Sequence, residues 1–161
     1  YDHKYVYTHL GYNLKVTDMQ AAIGVAQLDK LPDFIEKRKD NFSKILSGLK
    51  QFEDKISLPV ATPKSDPCWF GFPISVRKES NIDRNELSGF LEEDNIETRT
   101  LFGGNLIRQP AFKDVKYRKI GNLENTDFVM ENTFFIGVYP GIDDRQIEYV
   151  LDSFKKFFGG K

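Results

Sequence analysis

Cysteine is almost missing: Cys68 is the only one in 161 residues. A lone thiol excludes an internal disulfide and excludes a four-cysteine metal or iron–sulfur centre built from this chain, and Cys68 itself reads as buried apolar filler. Histidine is nearly as scarce. His3 and His9 both fall in a polar lead-in, where an imidazole is more often solvated than catalytic, and neither is assigned a role. Excess charge is missing too, with 23 basic against 24 acidic residues. That balance leaves no footprint for nucleic acid or an anionic membrane, so neither is expected as a partner. No long apolar run is present and nothing reads as a secretory leader, which sets the expectation of a reducing, cytoplasmic compartment. No GxGxxG or P-loop follows a strand, no repeat recurs at 20 to 50 residues, and no low-complexity block occurs. What is present is 40% hydrophobic content, enough for one compact domain with a core. The chain opens on Tyr1-Asp2-His3-Lys4 without an initiator methionine, and reads as a piece of a longer protein.

Tyr1 to Lys15 alternates aromatic and polar residues and is expected to be extended. A first helix should start near Asp18 and run to about Leu31, with a bend at Pro32. Phe34, Ile35, Arg38, Phe42, Ile45, Leu46 and Leu49 then recur at helical period and predict an amphipathic second helix. Gln51 to Pro67 is a connecting loop with a short extended piece at Ile56 to Val60. Cys68 to Val76 reads as a strand in which Gly71 marks a close approach and Pro73 argues for an edge position. Its inward face is left open between odd and even residues. Asp83 with Glu86 caps a third helix, which buries Leu87, Phe90 and Leu91 and ends at Asn95. Ile96 to Leu101 is a half-buried strand leading into the turn Phe102-Gly103-Gly104-Asn105. Asn125 or Thr126 could cap a helix to about Asn132, Phe134 to Val138 is a strand, and Asp143 or Asp144 caps a last helix striped with Ile147, Val150, Leu151, Phe154, Phe157 and Phe158. The order suits an α+β fold, a small sheet with helices packed on one side.

The stretch most suggestive of a site is Gly11 to Gly24. Thr17 and Gln20 form a capping box, and Ala21, Ala22, Gly24 and Ala26 make the helix slim enough for another backbone to come close. Before it, Tyr12, Asn13 and Lys15 offer a phenol, an amide and a cation beside a helix N-terminus, a place that favours phosphate. The same residues also suit a capped core helix behind a solvated loop. The run GYNLKVTDMQAAIGVAQLDKL resembles a signature of the pyridoxal-phosphate-dependent sugar aminotransferase and sugar dehydratase superfamily. In that superfamily the asparagine at the position of Asn13 reaches the cofactor phosphate of the neighbouring subunit. The resemblance thus implies a homodimer, and a C-terminal small domain of a fold-type I enzyme, a small antiparallel sheet covered by helices, spanning residues 1–161 with its leading interface helix.

Ile96-Glu97-Thr98-Arg99, Phe102-Gly103-Gly104-Asn105-Leu106 with Gln109-Pro110, Asn125-Thr126-Asp127, and Phe135 to Gly141 resemble the 3-dehydrase branch acting on CDP-4-keto-6-deoxyglucose, in dideoxysugar and lipopolysaccharide synthesis. Sugar aminotransferases usually have a histidine after the aromatic at the position of Trp69, whereas this chain has Phe70, a ring that neither exchanges protons nor donates a hydrogen bond. That branch implies pyridoxamine or pyridoxal phosphate as cofactor. It implies a histidine in place of the Schiff-base lysine, a [2Fe–2S] cluster on cysteines, and a separate NAD(P)H-dependent reductase. Those groups are not in this chain, so the chain alone is expected to be inactive. Its expected contribution is binding: Asn13 to the cofactor phosphate, and Tyr12, Lys15, Phe70, Arg99, Asn105 and Arg108 to a nucleotide-sugar substrate, the arginines because their planar forks match phosphate oxygens. Arg99 equally suits a surface pair with a carboxylate. A nucleotide-sugar aminotransferase and a non-catalytic interaction domain are the alternatives.

Overall fold

The computed structural model describes residues 11, 12 and 14–160. The extended lead-in expected before Gly11, with both histidines, and Asn13 lie outside the described residues. The chain divides into two units, Tyr1–Asp33 and Phe34–Lys161.

In the first unit, helix α1 spans Asp18–Leu28. The capping box forms as the sequence predicts: the Gln20 backbone N–H donates to the Thr17 hydroxyl at 3.4 Å, and the Thr17 N–H donates to Gln20 Oε1 at 2.9 Å. The helix stops at Leu28, short of the expected Leu31, because Pro32 has no N–H to return to the Leu28 carbonyl. The same residue fits the first turn of the next helix, where that N–H would have no partner. α1 buries none of its residues, and a Cβ added to Gly24 would meet nothing within 4 Å.

The second unit holds most of helix α2 (Leu31–Leu49), strands β1 (Ile56–Ser57) and β2 (Gly71–Val76), helix α3 (Arg84–Glu93), strand β3 (Thr98–Thr100), helix α4 (Glu124–Asn132), strand β4 (Thr133–Gly137) and helix α5 (Asp144–Gly159). The sheet runs β1-β2-β4-β3, antiparallel at every pairing. This is the expected α+β plan. Phe72, Ile74 and Val76 of β2 settle the open choice in favour of the even face, and with Phe134 and Ile136 of β4 they meet Ile45 and Leu49 of α2, Leu87 and Leu91 of α3, and Ile147, Phe154 and Phe157 of α5. Each such side chain contributes roughly 1.5–3 kcal/mol by leaving water. Asp83 accepts from the N–H groups of Asn85 and Glu86, Asn95 ends α3 at φ 61°, and Asp143 with Gln146 forms a second capping box.

Four expectations are corrected. β2 is interior, not an edge: Arg77 N–H donates to Lys55 O, so Ser75 and Pro73, of the same parity, also turn their backbones towards β1. β1 pairs only with Val76 and Ser75, so at Pro73 the ladder has ended and the missing N–H leaves no acceptor orphaned. α4 starts at Glu124, with Leu123 at φ 64° as its cap, so Asn125 and Thr126 fall inside its first turn. Cys68 is exposed, since it precedes β2 and does not belong to the strand. The three-residue β3 and two-residue β1 are shorter than expected: β3 turns away where the Phe102 N–H donates to Thr100 O at 2.7 Å, and β1 stops short of Pro59.

Candidate functional site

The outward face of the sheet gathers the side chains that the core does not use. Trp69 and Phe70 enter β2 and part: Trp69 stacks on Phe42 with centroids 4.5 Å apart and planes 2° apart, while Phe70 stays 71% exposed. Arg38 of α2 fixes this turn by donating through Nη1 to the carbonyls of Trp69 at 3.0 Å and Phe70 at 3.1 Å. In β4, Phe135 pairs across to Pro73 on one side and Arg99 on the other. Its ring meets Phe70 edge-on at 5.7 Å and Phe102 at 6.2 Å. Gly71 makes room, because a Cβ there would lie 2.5 Å from the Phe135 ring.

Phe102 completes the aromatic wall under backbone strain. It has φ 52° and is 75% exposed. A bulky residue in that region costs on the order of 1–3 kcal/mol and persists only where its surroundings hold it. The surroundings are explicit. Gln109 Nε2 donates to Gly103 O at 2.6 Å, and the buried Asn105 donates through Nδ2 to Asp127 Oδ1 at 2.7 Å. Arg108 bonds Glu131 at 2.7 Å and reaches Asp127 at 3.4 Å, and these two carboxylates, Glu131 first, raise its pKa. Gly104, at φ 60°, lies so close to α4 that a Cβ would sit 2.5 Å from Met130 Cγ. The loop after β3 is thus tied to α4, with Phe102 left facing out.

Two hollows open on this surface. One, of about 620 Å³, is lined by Arg38, Phe70, Arg99, Phe102, Phe135 and Tyr139. The other, of about 490 Å³, lies between β3, the end of β4 and the first turns of α5, among Ile96, Tyr139, Ile142, Arg145, Tyr149 and Val150. Arg99, Phe135, Gly137 and Tyr139 line both. Each falls in the usual range for small-molecule sites, apolar with a few polar groups.

Of the residues singled out from sequence, Phe70 and Arg99 come together in the first hollow. Arg99 is paired there with Glu97 at 2.6 Å, and both are largely exposed, so that pair holds little energy. Asn105 and Arg108 meet at Asp127 and position the loop. Tyr12 and Lys15 are exposed in the first unit. Sequence reasoning missed Arg38, Phe102, Phe135 and Tyr139 as site-lining residues. Arg38 had a signal, a cation inside an apolar helical stripe; Phe135 had none, since alternation alone does not say which face carries function. Among the described residues no group of three or more His, Cys, Asp or Glu could hold a metal ion, and no helix is long and apolar enough to cross a membrane.

Residues 1–155 match the profile of the DegT/DnrJ/EryC1/StrS aminotransferase family. The chain is 56% identical over 159 residues to the lipopolysaccharide biosynthesis protein RfbH of Salmonella typhimurium, covering 99% of this chain and 36% of that protein. It is 49% identical to dTDP-4-dehydro-2,6-dideoxy-D-glucose 3-dehydratase of Saccharopolyspora spinosa, covering 98% of this chain and 34% of that enzyme. Among solved structures, the E. coli GDP-4-keto-6-deoxy-D-mannose-3-dehydratase with bound hydrated PLP superposes with a TM-score of 0.84 at 28% identity, over 92% of this chain and 38% of that one. The chain therefore spans about a third of the length of the relatives it matches. It belongs to the DegT/DnrJ/EryC1/StrS family of sugar aminotransferases, a family that takes in nucleotide-sugar 3-dehydratases.

Proposed function

We propose that the intact protein is a nucleotide-sugar C3 dehydratase, using pyridoxamine or pyridoxal phosphate, in 3,6-dideoxyhexose and lipopolysaccharide synthesis in the cytoplasm. The observation that carries this reading is Phe70: a side chain without an exchangeable proton stands at the mouth of an aromatic trough, in a chain that is 49% identical to a 3-dehydratase. A dehydration gains from water exclusion beside the leaving hydroxyl, and the rings of Phe70, Phe102 and Phe135 supply an apolar wall. Arg99 and Arg38 bring positive charge to the same trough, suited to the diphosphate of a CDP-, dTDP- or GDP-linked sugar.

The trough residues fit the rim of a cofactor site and not its centre. They include arginines and aromatic rings, no lysine and no histidine, so a Schiff-base amine or catalytic imidazole is not among the residues that line the trough. When bound, the cofactor supplies an electron sink for loss of the C3 hydroxyl. Asn13, with Tyr12 and Lys15 beside it, is assigned to the cofactor phosphate of a second subunit in a homodimer. The lone, exposed Cys68 does not make a cluster site, so the ligands of the [2Fe–2S] centre, which a separate NAD(P)H-dependent reductase would supply with electrons, are assigned outside this chain. On its own the chain is assigned no turnover.

The test is the absorption spectrum and product of the intact protein. Cofactor and iron–sulfur bands together, with loss of the C3 hydroxyl from a 4-keto-6-deoxy nucleotide sugar, are the expected result. Cofactor without iron, with amino transfer from an amino acid, would replace this reading by the aminotransferase one, which the family's own description favours. No cofactor at all would leave an interaction domain.

A further inference from the structure

Strands β2 and β4 pair from Ser75 with Thr133 as far as Gly71 with Gly137, and past that last pair no ladder holds either chain segment. Two of the residues just beyond it, Phe70 on one side and Tyr139 on the other, are exposed and line the trough. Backbone carbonyls in such a place need partners from elsewhere. One face of α2 supplies them. Arg38 donates through Nη1 to Trp69 O and Phe70 O, and Asn41, three residues on and buried, donates through Nδ2 to Tyr139 O at 3.0 Å and Ile142 O at 3.5 Å. Successive carbonyls of an extended strand point to opposite sides, so one nitrogen shared by those of Trp69 and Phe70 requires the bend found at Phe70. The Tyr139 ring is seated over glycine: a Cβ at Gly141 would lie 2.8 Å from its Cε2, and one at Gly137 would lie 3.4 Å from its Cδ1.

We infer that Arg38 and Asn41 are positioning residues: α2 holds the backbone under Phe70 with one and the backbone under Tyr139 with the other, and so sets the gap between the two sides of the trough. This rests on the dehydratase reading and adds to it two residues that act without touching substrate. The core does not fix either ring, because both point away from it, and the sheet does not fix them, because both lie past the ladder. Only the α2 side chains tie these two strand ends to a packed element. Arg38 and Asn41 share the helix with Phe42, Ile45 and Leu49, where a polar group costs free energy unless it is hydrogen-bonded, and the four carbonyls offset that cost. A reaction that depends on excluding water beside a leaving hydroxyl is sensitive to such placement, since a shift of about 1 Å transmitted from a distance can cost roughly a hundredfold in rate.

Fluorine NMR of the intact protein, labelled with fluorophenylalanine at position 70 or with fluorotyrosine at position 139, tests the two ties beside steady-state kinetics on a 4-keto-6-deoxy nucleotide sugar. Arg38→Met should shift or split the signal at position 70 and leave that at 139, and Asn41→Leu should do the reverse. In Arg38→Met kcat should fall roughly tenfold or more with KM within about threefold, and Arg38→Lys, which keeps the charge and the donors, should recover most of the loss. In a Phe70→Ala background Arg38→Met should cost less than about threefold in kcat, because Arg38 acts through that ring. Arg38 is only half-buried, so its variants keep the test valid should Asn41→Leu not fold. A signal at position 70 unmoved by Arg38→Met would overturn the inference, and so would both signals moving together in either variant, which is general loosening. A raised KM in Arg38→Met that Arg38→Lys does not recover would make Arg38 a ligand contact and overturn its positioning role. Signals that move as expected in a protein that dehydrates no nucleotide sugar would end the reaction reading and leave both ties standing.

Discussion

α1 and α5 begin in the same way and end in opposite circumstances. Each opens with a reciprocal capping box, Thr17 with Gln20 and Asp143 with Gln146. α5 then buries Ile147, Ser153, Phe154, Phe157 and Phe158, whereas α1 buries nothing and leaves Met19 79%, Ile23 64% and Leu28 63% exposed. The cap therefore specifies where a helix starts and says nothing of what it packs on. Apolar residues of α5 are spaced for the sheet beneath them. Those of α1 are interleaved with alanine and glycine, which leaves the helix slim and without a buried face.

The largest effect should separate the two helices outright. Phe154→Ala removes a fully buried ring and should cost about 3–5 kcal/mol, enough to abolish cooperative unfolding of the second unit. Ile23→Ala in the same chain should move the melting temperature little, as surface changes lie within about 0.5 kcal/mol. A large loss from Ile23→Ala, read by thermal circular dichroism, would mean that α1 is packed within this chain. In the intact protein the contrast should narrow. Ala22→Phe there should overpack a tight contact at roughly 1–3 kcal/mol and lower dimerisation and cofactor content together. Light scattering beside cofactor absorbance checks it, and a monomer that keeps full cofactor would break the link between α1 and the phosphate site.

These helices also show what a sequence discloses. Caps, periodicity and the order of elements depend on neighbours a few residues apart, so Thr17, Asp83 and Asn95 were legible as they stand, and Asp143 as one of two candidates with Asp144. Pro73 was misleading because its rule concerns the hydrogen-bonding neighbour, and no local pattern tells that β1 ends two residues too soon to need that N–H. Cys68 misled for the related reason that strand ends follow the partner strand. At the site, Phe70 and Arg99 were legible from motif, but the wall around them was not. Phe135 faces outward only by the register of β4 with β2 and β3, and Phe102 faces outward because Asp127, Glu131 and Met130, more than 20 residues further along, hold its loop. The family resemblance stood in for these distant contacts, naming the motif without giving the geometry.

The caps themselves should give a smaller and more telling difference. Asp143→Ala should cost about 1 kcal/mol of the second unit's stability, the usual loss when a capping oxygen is removed, and α5 transmits that loss to the core. Thr17→Ala removes the same kind of bond from a helix without buried residues. It should fray α1, seen as faster amide exchange at Gln20 and Ala21, without shifting the cooperative transition. Equal shifts in both variants would show that α1 unfolds with the core.

The smallest effect belongs to Lys44, which bonds Asp144 at 2.6 Å and Asp40 at 2.7 Å and so ties α2 to the first turn of α5. The hydrogen bond to Asp144, then that to Asp40, raises the Lys44 pKa above its ordinary value. A raised pKa of a cation contributes stability that is fully present below the unfolded value and is lost as pH rises through the still higher folded one. Both values lie well above neutrality, so Lys44→Met should remove the same small increment at about pH 6 and at about pH 9. The side chain is exposed, and salt near 1 M, with a screening length of about 3 Å, should erase most of the difference between variant and parent. Melting curves at two pH values and two salt concentrations test both claims. A variant whose deficit shrinks as pH rises across that range would mean that Lys44 titrates far lower than its carboxylate partners allow, and that a different contact joins α2 to α5.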